Sequence, residues 1–252
     1  FTEPELREYM WQHLSSCLLG YTNQTFNMYI GKGSNGKSVL TKLMSDILGD
    51  YKGDVPLTLI TEKRQKVGGL APEIADLKGV RFALIQESSK GDALNEGIMK
   101  QLTSGVDVVQ GRGLFQPSAT KFYPQFKLAI CSNEMLEVRS QDGGTWRRIR
   151  KIEYTSKFTD NPDPNNPREF KKISEIAMHN KMNDTWKSVF LSMLAEVAFK
   201  TMGQVEPCRI VEEASRSYQE SLDFMIGFMR DCVEVSEGGR ITKTEINDEF
   251  AR

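Results

Sequence analysis

Gly31-Lys32-Gly33-Ser34-Asn35-Gly36-Lys37-Ser38 matches the phosphate-binding pattern G-x-x-x-x-G-K-[ST] at every fixed position. Its glycines let the backbone curl tightly enough to aim several N–H groups at phosphate oxygens. Lys37 is spaced to reach the β and γ oxygens, and the Ser38 hydroxyl to ligate Mg²⁺. A helix opening there adds about half a positive charge at its N-terminus, which favours an anion. The octet therefore predicts a nucleotide held by Gly31, Gly33, Ser34, Asn35, Gly36, Lys37, Ser38 and Val39.

The flanks agree with that reading. Phe26-Asn27-Met28-Tyr29-Ile30 is short and aromatic-rich, as a strand entering such a loop should be. Val39, Leu40, Leu43, Met44, Ile47 and Leu48 form one apolar helical stripe, stopped by Gly49. Upstream, Leu6, Met10, Leu14 and Leu18 recur every four residues and predict a helix over 4–19.

Downstream, Val80 to Gln86 is a continuous apolar run that delivers a carboxylate, Glu87, as the carboxyl edge of a central parallel strand would. A short helix over 71–77 precedes it, Val55 to Ile60 reads as extended, and 62–69 is polar. A helix over 94–103 and a hairpin over 106–123 follow, then a second buried strand, 126–132, ending at Asn133. This alternation predicts a doubly wound α/β fold with its ligand at the carboxyl ends of the strands. Residues 156–168 are rich in Pro and Asn and read as a loop or linker. Beyond it, helices are expected around Trp186 to Ala198, 211–218 and 222–233, with a Thr-capped helix starting at Ile241 to Glu245.

Composition narrows the function classes. The 252 residues allow one α/β domain with a smaller appendage. No run of eighteen apolar residues and no charged-then-apolar leader is present, so the expectation is an intracellular protein that is neither secreted nor membrane-bound. The chain opens at Phe1 and closes inside a charged stretch, as a fragment of something longer would. With 33 Lys and Arg against 34 Asp and Glu, the net charge of −1 confines any nucleic-acid contact to a channel or hairpin. Cys17, Cys131, Cys208 and Cys232 are scattered without C-x-x-C spacing, and His13 and His179 lack partners, so zinc and triad chemistry have no footing.

An enzyme built on this loop needs an acid that holds Mg²⁺ and polarises water, a polar sensor of the γ-phosphate, and a cation for transition-state charge. Glu87, Asn133 and the pair Arg147 and Arg148 occur in that order, with Ser38 and Glu87 as the metal-holding pair. Position alone leaves the arginines equally readable as a solvated charge run.

Taken together, GKGSNGKS, GVRFALIQES, GRGLFQPSATKFYPQ, FKLAICSNE and TWRRIRKIEY resemble the superfamily 3 helicases, above all the poxvirus-type and phage-type primase-helicases of large DNA viruses and mobile elements. The resemblance runs from Phe26 to Tyr154 and more loosely over both flanks. It implies a three-layer α/β/α P-loop NTPase core of AAA+ type over 26–155. A helical N-terminal segment over 1–25 and a helical region over 156–252, either a subunit collar or the lead into a winged-helix module, would flank it. It further implies a hexameric ring that hydrolyses ATP with Mg²⁺ and moves 3′→5′ on single-stranded DNA, alongside a primase domain or other replisome proteins. Lys37, Glu87 and Asn133 would then act in their own subunit, and Arg148, with Arg147 as the alternative, on the neighbour's ATP.

Two departures stand out. Relatives often carry two acids where this chain has Gln86-Glu87-Ser88-Ser89, which makes Asp92 a candidate second acid. The hairpin tip lacks the usual Lys; here Phe115 would stack on a base while Arg112 and Lys121 hold phosphates, although Phe115 fits plain hairpin packing equally well. Two other readings follow from the loop: a nucleotide-gated DNA-binding or loading scaffold with weak turnover, and a monomeric P-loop kinase or small-molecule transferase.

Overall fold

A computed structural model of the protein describes residues 1–62, 70–223, 232–233 and 240–250, with side chains to 246. Five parallel strands, β1 (Phe26–Ile30), β2 (Lys52–Val55), β3 (Phe82–Gln86), β6 (Lys127–Ser132) and β7 (Ile149–Glu153), form a central sheet in the order β2-β3-β6-β1-β7. β4 (Val109–Gly111) and β5 (Thr120–Phe122) make the antiparallel hairpin, and β8 (Lys157–Thr159) and β9 (Glu169–Lys171) a short parallel pair.

Strand periodicity divides the core between the two faces of the sheet. Phe26, Met28, Ile85, Leu128, Ile130 and Ile149 belong to one cluster, covered by Ile98, Met99 and Leu102 of α5 (Glu96–Thr103). Tyr29, Phe82, Leu84, Ala129 and Ile152 belong to the other. Leu6, Tyr9, Met10 and Leu14 of α1 (Pro4–Ser16), Met44 and Leu48 of α2 (Lys37–Leu48), Leu194 of α8 (Lys187–Thr201) and Val211 of α9 (Arg209–Leu222) cover that second face. Both faces of an all-parallel sheet are thus buried, which is why its inner strands read as unbroken apolar runs.

The remaining helices are short: α3 (Thr58–Thr61), α4 (Pro72–Ala75), α6 (Gly143–Trp146) and α7 (Glu175–Lys181), the last joined to α8 by a π turn over Met182–Trp186. The predicted Thr cap closes as a capping box at α10 (Lys243–Phe250): Glu245 N donates to Thr242 Oγ1 at 3.2 Å, and Thr242 N donates to Glu245 Oε2 at 2.8 Å. Among the described residues no helix is long and apolar enough to cross a membrane.

Three expectations shift. The extended piece is Lys52–Val55 rather than 55–60, because Pro56 cannot continue a ladder and the chain turns into α3. Residues 156–168 are not wholly loop, since Phe158 and Phe170 pair across β8 and β9. The basic tract 147–151 runs into an edge strand, β7. α9 lies along that edge, where Lys151 N donates to Ser215 Oγ at 2.9 Å, so the unpaired side of β7 is covered. The helix expected over 222–233 falls largely on residues outside those described, as does most of 62–69.

His13 joins α1 to β1: its Nε2 lies 2.6 Å from the Tyr29 hydroxyl. Burial, with a smaller push from Lys127, lowers its pKa from 6.5 to about 3. The unfolded chain therefore takes up a proton below pH 6.5 that the folded chain refuses until about pH 3. Folding stability falls with acidification across that window, at up to about 1.4 kcal/mol per pH unit. Urea titrations should find the stability gap between wild type and His13→Gln changing against wild type as pH drops from about 6.5 to 4. A gap independent of pH would contradict a neutral buried His13.

Candidate nucleotide site

The sheet order reverses at β1. The chain leaves β1 for the far edge at β2, steps back through β3 and β6, and crosses over to β7 on the other side. In parallel sheets such a reversal opens a crevice at the strands' carboxyl ends, the usual place for a ligand. The octet lies in that crevice, between the end of β1 and the start of α2.

The loop holds its shape by left-handed residues and by close backbone approach. Ser34 has φ 61° and Gly36 φ 87°, and Gly36 precedes α2 with no side-chain cap. A Cβ at Gly31 would lie 2.6 Å from the Tyr154 carbonyl oxygen, so only glycine fits against β7 there. Asn35 is buried and braces the turn from inside: its Nδ2 donates to the carbonyls of Lys32 and of Tyr154 (3.5 Å), and its Oδ1 accepts from Lys37 N at 3.3 Å. From outside, Phe158 N donates to Ser34 O at 2.7 Å.

Lys37 is buried, with its Nζ donating to Gly31 O and to Asn133 Oδ1, the latter at 3.3 Å. Burial lowers its pKa, a shift the nearby Cys131 thiol partly offsets. Cys131 itself is pushed up to about 12 by desolvation, against the pull of Lys37, so it stays a neutral thiol and not a nucleophile.

Gln86 is the last residue of β3, and Glu87 N donates to Cys131 O at 2.9 Å, extending the β3–β6 ladder by one rung. Glu87 then turns sharply, with φ 63°, an uncommon conformation for a non-glycine residue, and its side chain is exposed. Ser132 ties this turn to the Asn133 turn. Its Oγ lies 2.6 Å from Ser88 Oγ and accepts from Glu134 N at 3.0 Å. Sequence reasoning missed Ser132, whose only signal is a hydroxyl at the last position of a strand.

A cavity of about 300 Å³ results, lined by Gly33 to Val39, Gln86, Glu87, Cys131, Ser132 and Asn133. The fold thus brings Lys37, Ser38, Glu87 and Asn133 together from three separate segments. Asp92 is not part of the lining; its carboxylate accepts from Ser89 N at 2.6 Å within its own turn. Ser38 and Glu87 offer hard oxygen donors to one space, the set Mg²⁺ prefers when phosphates supply the rest. Among the described residues no cluster of three or more His, Cys, Asp and Glu exists for a metal held by protein alone.

Arg148 lies elsewhere. It precedes β7, and its carbonyl accepts from Phe26 N at 2.7 Å, which puts it at the amino edge of the sheet, away from the cavity. Its side chain is buried, Nη1 donating to Gly144 O at 2.6 Å while Nε has no partner. Desolvation, with repulsion from Arg147, lowers its pKa. Arg147 is exposed.

The hairpin is docked at its base, where a Cβ on Gly111 would come within 2.5 Å of the Ala71 carbonyl oxygen. At the tip Gln116 Oε1 accepts from Gly113 N and Thr120 Oγ1, at 3.3 and 3.2 Å. Phe115 has φ 60° and is 96% exposed, so it packs on nothing among the described residues. Lys121 is exposed and Arg112 half-buried, with its Nε unpartnered.

No family model matches the chain. Individual proteins do. The chain is 32% identical over 239 residues to a protein of Acanthamoeba polyphaga mimivirus named as a putative helicase, covering 91% of this chain and 24% of that protein. It is 32% identical over 167 residues to one of the same description from Invertebrate iridescent virus 6, covering 65% and 17%. It is 28% identical over 245 residues to a protein of African swine fever virus named as a putative primase, covering 91% and 25%. The chain therefore spans about a quarter or less of the relatives it matches. Among solved structures, the apo NrS-1 C terminal region superposes with a TM-score of 0.60 at 16% identity, covering 96% of this chain and 57% of that one. The chain is thus similar to proteins of large DNA viruses that are named as putative helicases and primases.

The loop geometry separates two of its glycines. Gly36 sits at φ 87° with Phe158 beside it, whereas a Cβ at Gly33 would meet nothing within 4 Å. Gly36→Ala should cost about 1–2 kcal/mol, or roughly 2–8 °C of melting temperature, and Gly33→Ala close to nothing. Calorimetry on the two variants checks this; equal melting temperatures would contradict the assigned loop conformation.

Proposed function

We propose that this chain is the ATPase motor of a superfamily 3 replicative helicase, a three-layer P-loop NTPase of AAA+ type that works as a hexameric ring on single-stranded DNA. The observation that carries the reading is the convergence of Lys37, Ser38, Glu87 and Asn133 on one cavity at the sheet's switch point. The viral relatives support the replicative setting, with a primase domain or other replisome proteins as partners.

In this mechanism the N–H groups of 33–38 and the first turn of α2 hold the phosphates. Lys37 exchanges neutral acceptors for the β/γ oxygens, a stronger charge-assisted bond in a buried site. Asn133, already in contact with Lys37, senses the γ-phosphate and orients the attacking water. Glu87 takes the water's proton as general base. Mg²⁺, held by Ser38 with Glu87 behind it, would supply charge neutralisation between the phosphates. Arg148 completes the site of the adjacent subunit after its guanidinium leaves Gly144. Arg147, exposed on the same turn, is the second candidate. At the pore, Phe115 stacks on bases, and copies of Arg112 and Lys121 concentrate positive charge that the chain as a whole lacks.

One observation keeps the scaffold reading in play: with Asp92 tied to Ser89, Glu87 is the one acid among the described residues that lines the cavity. The two readings part on turnover. ATP hydrolysis should rise with protein concentration and with single-stranded DNA. Lys37→Ala should abolish it, and Glu87→Gln should retain ATP binding with turnover down about 10²–10⁴-fold. Arg148→Ala should lose about 10³-fold or more. Mixing it with Lys37→Ala should restore activity, because each variant supplies what the other lacks across an interface. Turnover that survives Glu87→Gln or ignores concentration would sink the ring motor; binding without turnover in wild type would leave the scaffold.

A further inference from the structure

A second cavity, of about 370 Å³, opens on the other side of the phosphate loop. Asn35 and Gly36 line both, so the two spaces meet across the loop. The rest of its wall comes from Phe1, from Leu40 in the first turn of α2, from Tyr154, Thr155 and Ser156 after β7, and from the paired rings of Phe158 and Phe170. Those rings lie 5.7 Å apart between centroids at an interplanar angle of 33°.

The rings are mounted, not merely nearby. Phe158 and Phe170 face each other in the β8–β9 register, and an ion pair between Lys157 and Glu169 at 3.2 Å closes the same pair of strands. Asp163 N donates to the other Glu169 oxygen at 3.0 Å, which folds the Pro/Asn-rich connection back onto the strands. β8 is bonded to the loop itself through Phe158 N and Ser34 O, and the Phe158 ring touches Gly36: a Cβ there would lie 3.2 Å from Phe158 Cε2. Yet both rings remain about two-fifths exposed, at 38% and 40%. Two large aromatic faces held open beside a phosphate loop need a flat partner to bury them.

Direction decides what that partner is. Glu87 and Asn133 stand on the first cavity's side, so the γ end of a bound triphosphate faces them. Its α end, with the nucleoside, must leave the loop the opposite way, past Gly36 and Leu40. The geometry points to the second cavity as the base site of the same nucleotide, with Phe158 and Phe170 as the stacking residues and the Thr155 and Ser156 hydroxyls at its polar lip. This inference rests on the nucleotide reading of the loop. It adds that affinity comes substantially from the base, and that the tract after β7, loop by composition, is part of the ligand site.

Isothermal titration of the whole chain with Mg-ATP and with Mg-tripolyphosphate, which has the phosphates and no base, separates the two layers. Base–aromatic stacking at this site should make Phe158→Ala weaken ATP by about 5- to 100-fold and leave tripolyphosphate within about twofold. Phe158→Trp should keep ATP binding, Phe170→Ala should weaken ATP alone, and Lys37→Ala should weaken both ligands. In wild type the adenine H2 and H8 proton resonances should move upfield on binding, and Phe158→Ala should remove that shift. If wild type binds neither ligand, the phosphate-site reading fails and this inference with it. If wild type binds both while Phe158→Ala weakens both equally, or weakens neither, the phosphate site stands and the base site is overturned.

Discussion

The Lys37 ammonium is buried at the carboxyl end of β1, and much of the surrounding architecture exists to keep it there. A buried cation needs fixed acceptors, and the two it has come from adjacent strands: Gly31 O after β1 and Asn133 Oδ1 after β6. Their juxtaposition is a matter of register. Ile30 pairs with Ser132, and Gly31 N donates to Ser132 O at 3.3 Å, so the next residue on each strand faces the same space. A slip of one residue between β1 and β6 would turn Asn133 away and send the apolar set of β6 to the wrong faces. The same register brings Glu87, one rung beyond β3, to Cys131. Core packing and site geometry are therefore set by a single constraint.

That constraint is reinforced from the chain's flanks. Lys127, at the start of β6, donates to the carbonyls of Ser16, Leu19 and Tyr21, at 2.5, 3.1 and 2.6 Å, just past the C-terminus of α1. Burial brings its pKa down to about 8, yet three carbonyls and the helix dipole favour its charge where it sits. At the opposite edge, Tyr218 of α9 donates to Leu136 O and meets Trp146 edge-on at 5.4 Å, while Ser215 covers the edge strand. Helices assigned by sequence to the two flanks thus help fix the strands that carry the loop and Asn133.

The site was more legible in the sequence than the sheet that carries it. The octet, the strand before it, the apolar stripe after it and the carboxylate and amide ending two apolar runs all have strong local signals, because buried parallel strands and helical stripes leave periodic traces. β7 left none: its two buried residues, Ile149 and Ile152, stand among Arg147, Arg148, Arg150 and Lys151, a run of cations that masks the apolar period. β2, as Lys-Gly-Asp-Val at the sheet's edge, has poor strand composition and depends on β3 for its pairing. β8 and β9, at three residues each, are too short for any period, and only tertiary pairing shows that a Pro/Asn-rich tract places two aromatic rings beside the loop. The left-handed turn at Glu87 and the Ser132 brace are equally invisible, since neither depends on a pattern.

We propose that the loop at the end of β1 holds a nucleotide's phosphates, with Lys37 as their principal cation. A crystal structure of the chain with Mg²⁺ and a non-hydrolysable ATP analogue tests it most directly. Phosphate density should lie against the first turn of α2, with Lys37 Nζ moved from Gly31 O to the β/γ oxygens. Asn133 and Glu87 should face the γ-phosphate. Density elsewhere, or a bound analogue with Lys37 still on the Gly31 carbonyl, would contradict it.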